Sequence, residues 1–173
     1  MGMMKDDDKK AVAGVFEKLA NEVKIVVVSQ ENECQYCTAT RELVEEVASL
    51  SDKISVEVLD FVKDADRVKQ YGVDKIPATI ILAGEKDNGI RFYGVPAGYE
   101  FATLIQDIVQ VSTRDSGLSP EVKGLLADIK TPVDIQVLVS PTCPYCPQAV
   151  IAAHRFALES ENITGAMVEI TEF

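Results

Sequence analysis

The chain of 173 residues has no tryptophan and a single histidine, His154. One histidine cannot build a His-rich metal site, and most histidine-based relays lack a member. Cationic side chains are scarce beside acidic ones: 17 Lys plus Arg against 28 Asp plus Glu, a formal net charge of −11. A surface this acidic repels phosphate backbones, which sets nucleic acid aside as a partner. No apolar run approaches the ~20 residues of a membrane span, so no membrane partner is expected. The first ten residues are charged and the apolar stretch at 11–16 is too short for a secretory signal; the expected location is cytoplasmic. No Gly-x-Gly-x-x-Gly occurs, so the chain carries no dinucleotide site of its own.

Hydrophobic residues make up 47% of the chain, enough for a core. The four cysteines form two short pairs, Cys34-Gln35-Tyr36-Cys37 and Cys143-Pro144-Tyr145-Cys146. In a reducing cytosol, paired cysteines point to redox work or a metal rather than to structural staples.

The chain repeats itself. At an offset of 110, Val12, Gly14, Leu19, Val23 and Ile25 fall on Val122, Gly124, Ile129, Val133 and Ile135. One deletion then shifts the offset to 109, placing Cys34, Tyr36, Cys37 and Ile54 on Cys143, Tyr145, Cys146 and Ile163.

The first copy reads as helix 8–20, a doubly buried strand 23–29, the cysteines, helix 37–50 and strand 54–59. A short helix at 64–71, with Asp64 as its cap, comes next. After the break Lys75-Ile76-Pro77 come strands 78–82 and 90–93, joined by a turn holding Gly84 and Asn88-Gly89. A helix at 99–111 closes the copy. The order αβαβαββα makes the fold class α/β. Arg114 to Pro120, with Ser116-Gly117 and Ser119-Pro120, reads as the boundary, giving units 1–115 and 116–173. The second unit has helix 120–129, strand 133–139, cysteines, helix 146–158 and strand 163–170, an α-β-α-β series alone. A half sheet of this kind leaves strand edges and apolar faces uncovered. The expectation is that a longer chain, or a partner chain of a homo-oligomer, completes it.

Each cysteine pair lies where a buried strand gives way to a helix. There the first cysteine meets free backbone N–H groups and the positive end of the helix dipole, which favour thiolate over thiol. Cys34 and Cys143 are therefore the expected attackers of a substrate disulfide. Cys37 and Cys146, one turn on, would resolve the mixed disulfide. Glu33 and Glu31 beside Cys34 disfavour its thiolate; Cys143 follows Pro141-Thr142 without such charge. The Cys143 pair is expected to be the more acidic and the more oxidising. A four-thiolate metal site is the competing reading. Yet 105 residues separate Cys37 from Cys143, whereas a compact zinc ribbon spaces its pairs by about 15–20; no metal is expected. Buried structural cysteines are the bland reading. Pro77 is either a plain strand-start proline or a cis proline facing the cysteines. In the second case it would present the Ile76 backbone to an extended substrate segment. Ile76, Pro77, Tyr36 and Tyr145 are the candidate substrate-contacting residues. His154, three helical turns beyond Cys143, is expected to serve packing or surface.

The order αβαβαββα, with strand–Cys-x-x-Cys–helix and the downstream Ile76-Pro77, resembles thioredoxin-fold proteins. Two tandem motifs resemble more narrowly the protein disulfide oxidoreductases, glutaredoxin-like proteins built of tandem thioredoxin-fold units. Tyr71-Gly72-Val73-Asp74-Lys75-Ile76-Pro77 and the stretch from Gly89 to Gly98 add to the likeness. Valine at position 28, where many thioredoxins carry a buried acid, fits the glutaredoxin-like branch. The resemblance implies a thiol–disulfide oxidoreductase that reduces, forms or isomerises disulfides of protein substrates. It implies electrons from a thioredoxin-reductase-like flavoprotein and no cofactor beyond the cysteines. It makes Pro77 a cis proline near the first pair and Cys-Pro-Tyr-Cys the main active site. The rivals are an electron-relay module, similar to the tandem N-terminal region of the alkyl hydroperoxide reductase flavoprotein, and a thioredoxin-like binding module with idle cysteines.

Overall fold

A computed structural model describes residues 2–173. Its elements are α1 (Asp6–Phe16), β1 (Val23–Ser29), α2 (Cys37–Ala48), β2 (Ile54–Asp60), α3 (Ala65–Gln70), β3 (Ala78–Ala83), β4 (Lys86–Tyr93), α4 (Glu100–Thr113), α5 (Pro120–Ala127), β5 (Val133–Val139), α6 (Cys146–Glu159) and β6 (Ile163–Glu169). All six strands form one sheet, ordered β2-β1-β3-β4-β6-β5. This is the α/β thioredoxin-like architecture, begun again after α4.

The repeat is visible in strand register. Val23 stands opposite Ile54 in the parallel pair β1–β2, and Val133 opposite Ile163 in β5–β6. The two halves meet where β4 runs parallel to β6, Ile90 against Gly165 and Tyr93 against Val168. The second half therefore does not leave both of its edges open: β6 is covered, and of its two strands only β5 lies at an end of the sheet. That pairing joins residues far apart in sequence, and no local pattern announces it.

Alternation along β1 sorts its side chains between two cores. Val23, Ile25 and Val27 pack with Phe16, Val44, Leu104, Ile108 and Val150 beneath the helices. Val26 and Val28 pack on the other face with Val68 of α3, Ile80 and Leu82. β1 is thus buried on both faces, as its unbroken apolar run requires. β5 instead alternates apolar and polar, and Asp134, Gln136 and Leu138 are exposed. α6 seats directly on β6 at Gly165, where a Cβ would come within 2.5 Å of the Ala153 carbonyl oxygen.

Two local expectations fail. The β3–β4 turn is Gly84-Glu85 alone; Asn88-Gly89 lies inside β4, in a bulge between the pairs Ile81–Ile90 and Leu82–Asp87. Asp64 stands at the cap position of α3, but its carboxylate accepts the Asp60 N–H at 2.8 Å instead.

His154 is fully buried and belongs to the joint between the halves. Its Nδ1 lies 2.5 Å from Asp107 Oδ2 and its Nε2 3.1 Å from the Arg91 carbonyl oxygen. A carbonyl only accepts, so Nε2 carries a hydrogen, and one further proton is shared between Nδ1 and Asp107. Burial pushes the Asp107 carboxyl above its ordinary range, and His154 opposes that. Removing one member of such a pair strands the other. Asp107→Ala is expected to cost roughly 3–5 kcal/mol in urea unfolding; a loss below about 1 kcal/mol would show that the pair does not hold α4 to α6.

Candidate active site

β1, β4, β5 and β6 all end, and β3 begins, at the same end of the sheet. The registers place Val28 opposite Ala78, Ala78 opposite Tyr93, Tyr93 opposite Val168 and Val168 opposite Leu138. The loops leaving β1 and β5 there carry the two cysteine pairs, each ending as a helix begins: Cys37 opens α2 and Cys146 opens α6. The sheet thus presents both motifs on one rim. Four strand steps separate β1 from β5, which at roughly 4.8 Å each puts the motifs about 19 Å apart.

Both pairs are closed as disulfides, Cys34–Cys37 and Cys143–Cys146. Cys37 is buried at 1% exposure, whereas Cys34 and Cys143 are partly open. The first pair thus sets a partly open sulfur beside a sheltered one, whereas Cys146 is partly open like Cys143. The Cys146 N–H donates to Cys143 Sγ at 3.2 Å. Helix-start N–H groups carry partial positive charge, so this bond favours a thiolate once the disulfide opens. No counterpart reaches Cys34 among the described residues. Glu33, just before Cys34, has φ 60°, in the left-handed region. Tyr36 is half-buried, and its carbonyl accepts from the Thr40 hydroxyl at 2.9 Å. Tyr145 is 78% exposed.

The Ile76–Pro77 peptide is cis. The register of β1 and β3 places Pro77 at the rim, one step beyond the pair Val28–Ala78. Its carbonyl accepts the Gly94 N–H at 2.9 Å, and Pro77 itself is buried. The Ile76 N–H and C=O have no hydrogen-bond partner among the described residues. The loop after β4 closes on the second motif: Gly98, at φ +61°, lies so near that a Cβ would be 2.7 Å from the Pro141 carbonyl oxygen.

Sequence reading missed Glu100, the first residue of α4. It is 2% exposed, and neither of its carboxylate oxygens has a hydrogen-bond partner among the described residues. Burial pushes its carboxyl above the ordinary range. α4 and α6 both start at the rim and run the same way, and the Asp107–His154 contact fixes their relative level. Seven residues toward the N-terminus of each lie Glu100 and Pro147, so Glu100 stands level with the start of α6 beside Cys146. A signal was present: Leu104, Ile108 and Val111 define the buried stripe of α4, and Glu100 and Asp107 fall on it. Glu172 also reaches the rim, where Oε1 accepts the Val95 N–H at 2.9 Å; burial, with Glu169 nearby, raises its carboxyl too. Among the described residues no three His, Cys, Asp or Glu side chains converge as a metal-binding group, and no helix is long and apolar enough to cross a membrane.

Known proteins match this arrangement. A family model described as a thioredoxin domain matches residues 22–106 and 133–173. The NADH dehydrogenase of Bacillus subtilis is 32% identical over 127 residues, 73% of this chain and 23% of that protein. The alkyl hydroperoxide reductase AhpF of Staphylococcus epidermidis is 26% identical over 167 residues, 96% of this chain and 30% of that protein. The chain thus spans less than a third of the length of these curated relatives. Among solved structures, the alkyl hydroperoxide reductase AhpF of Enterococcus faecalis superposes with a TM-score of 0.90 at 26% identity, over 98% of this chain and 81% of that one. A protein disulfide oxidoreductase from Aeropyrum pernix gives 0.90 at 28% identity, over 97% and 75%. The chain belongs to the thioredoxin-domain family, with tandem thioredoxin-like units that each carry a Cys-x-x-Cys disulfide.

Proposed function

We propose that the chain is a dithiol–disulfide oxidoreductase acting on disulfides of protein substrates, with units 1–115 and 116–173 each supplying one redox pair. The observation that carries this reading is the placement of both pairs, closed as disulfides, at strand-to-helix junctions on one rim. In the reduced form, the Cys34 or Cys143 thiolate attacks a substrate disulfide. A mixed disulfide forms and one substrate thiolate leaves. Cys37 or Cys146 then attacks the sulfur of its partner and releases the second substrate thiolate. Two electrons and two protons pass to the substrate, and the pair closes. The free backbone groups of Ile76 beside cis Pro77 suit an extended substrate segment added at the rim. Tyr36 lies within the first motif and would contact the same segment, and Tyr145 would contact a segment bound at the second. Nothing beyond the cysteines is needed to carry the electrons.

A flavoprotein of the thioredoxin-reductase type would re-reduce the pairs, and the setting would be the cytoplasm. A second reading is favoured by the match of nearly the whole chain to about 30% of the alkyl hydroperoxide reductase AhpF. Here the pairs relay electrons between one dedicated donor and one dedicated acceptor instead of serving many substrates.

A glutathione redox titration with differential alkylation, read pair by pair through peptide mass, tests the common core of both readings. Both pairs are expected to titrate as two-electron couples within about −270 to −120 mV, the span known for catalytic pairs of this fold. Cysteines that stay reduced throughout would end the redox reading and leave a binding module.

A further inference from the structure

We infer that Gly98, a residue of the first unit, positions the attacking Cys143 of the second; the inference rests on the redox reading of the pairs. The loop that leaves β4 runs from Gly94 to Gly98 and is fastened at both ends. Gly94 donates its N–H to the Pro77 carbonyl at 2.9 Å. At the other end the Ala97 and Gly98 carbonyls accept the Glu100 and Phe101 N–H groups at 3.2 and 3.3 Å, which ties the loop to the first turn of α4. α4 in turn is held to α6 by the buried Asp107–His154 contact. Between these anchors Gly98 has φ +61° and lies against Pro141, where a Cβ would come within 2.7 Å of the carbonyl oxygen and 3.4 Å of the carbonyl carbon. Both atoms are backbone, so neither can swing aside as the end of a long side chain would.

Pro141 belongs to the turn Ser140–Cys143, closed by the Cys143 N–H donating to the Ser140 carbonyl at 3.1 Å. Proline at the second position of such a turn arrives with its φ already set. The turn delivers Cys143 to the start of α6, where its Sγ accepts the Cys146 N–H at 3.2 Å. Pro141 and Thr142 are exposed, so of the two sides in contact the turn is the one that yields. The first motif is built without this brace. Four residues separate Ser29 from Cys34, but only three separate Val139 from Cys143. The longer approach places Glu33 in left-handed backbone at φ 60°, and among the described residues no backbone N–H reaches the Cys34 sulfur. The shorter approach of the second motif is instead backed by Gly98. That contact sets the level of Pro141, two residues from the attacking sulfur, and so the direction from which Cys143 meets the Cys146 N–H. A loop of unit 1 thereby completes the site of unit 2.

Gly98→Ala in the full chain is the test, read pair by pair through alkylation against pH and through glutathione titration. The added methyl pushes on Pro141, loosens the Cys146 N–H contact with Cys143 Sγ and disfavours the thiolate. The inflection of Cys143 alkylation should move up by about one pH unit. The Cys143–Cys146 equilibrium with glutathione should shift about tenfold toward the disulfide, which for a two-electron couple is about 30 mV more reducing. The Cys34–Cys37 pair should be unchanged in both readouts. Gly84→Ala is the control. At φ +60° alanine meets the same backbone strain there, but nothing lies within 4 Å of the added Cβ. It should lower the urea midpoint and leave the Cys143 profile alone. Gly98→Asn tolerates left-handed backbone better but still carries a Cβ, so it should shift Cys143 as alanine does. A Cys143 profile unchanged in Gly98→Ala overturns the inference. So does an equal shift in Gly84→Ala or in the Cys34–Cys37 pair, which would make general loosening the cause. Failure of the redox reading looks different: neither wild-type pair would form a disulfide in the titration, while the alkylation profiles would still report on Gly98.

Discussion

Serine at both Cys34 and Cys143 is expected to bring dithiothreitol-driven reduction of insulin disulfides down to the rate of the reductant alone, a loss on the order of a hundredfold or more. Each single substitution should remove only one share of the turnover, and the two shares should sum to the wild-type rate. The reason is distance. Sulfurs exchange only when one can attack the other, and an S–S bond is about 2 Å long. The two motifs lie about 19 Å apart across four strand steps, so they act as separate sites on one rim. The larger share should belong to Cys143. Its sulfur accepts the Cys146 N–H at 3.2 Å, whereas Cys34 follows Glu33 and has no such donor. Alkylation rates against pH should accordingly rise at lower pH for Cys143 than for Cys34. If Cys143→Ser alone abolishes turnover, the pairs work in series and the relay reading gains.

Most of this arrangement was legible where chemistry is local. The apolar run Val23–Ser29 demanded a strand buried on both faces, and the cysteines had to follow its end. The recurrence of Val23, Ile25 and Ile54 at Val133, Ile135 and Ile163 extended the strand assignments to the second half, and the structure pairs the matching residues in the same register. Pro77 stood open between two readings, because a strand-start proline and a cis proline look alike in one sequence. Long-range facts were not legible. The β4–β6 pairing is decided by shape across the repeat boundary, and it turns an expected half sheet with open edges into one sheet with β5 exposed. Asn88-Gly89 looked like a turn because that dipeptide usually is one; here a bulge uses the positive φ of Gly89 under the Ile163 carbonyl. His154 was read for packing or surface and is buried, but its partner Asp107 went unnoticed. Acids at the buried positions of α4 do not stand out from the acidic excess of the whole chain, and that hid Glu100 as well.

Glu100→Gln should separate two effects of that buried carboxyl. The first is on stability. Burial places the folded-state pKa of Glu100 above its unfolded value. Below the ordinary carboxyl range both states are protonated, and the neutral side chain sits in the fold at little cost. As pH rises toward the folded pKa the unfolded chain ionises first, and stability is lost. The wild type should therefore be less stable in urea at pH 8 than at pH 5. Glutamine, which does not titrate, should recover roughly 1–3 kcal/mol at the higher pH. Part of the slope will persist, because Asp107 and Glu172 shift in the same direction. The second effect is on rate. Cys146 must lose its proton before it can attack Cys143, and Glu100, level along α4 with the first turn of α6, is the candidate acceptor that this variant tests. In Glu100→Gln the mixed disulfide on Cys143 should persist, with resolution slowed about a hundredfold at pH 7. The Cys34–Cys37 pair should be unchanged. A merely structural role would alter the urea midpoint and leave the pH profile of resolution intact; that outcome would remove Glu100 from the chemistry and leave it as an uncompensated cost of joining α4 to α6.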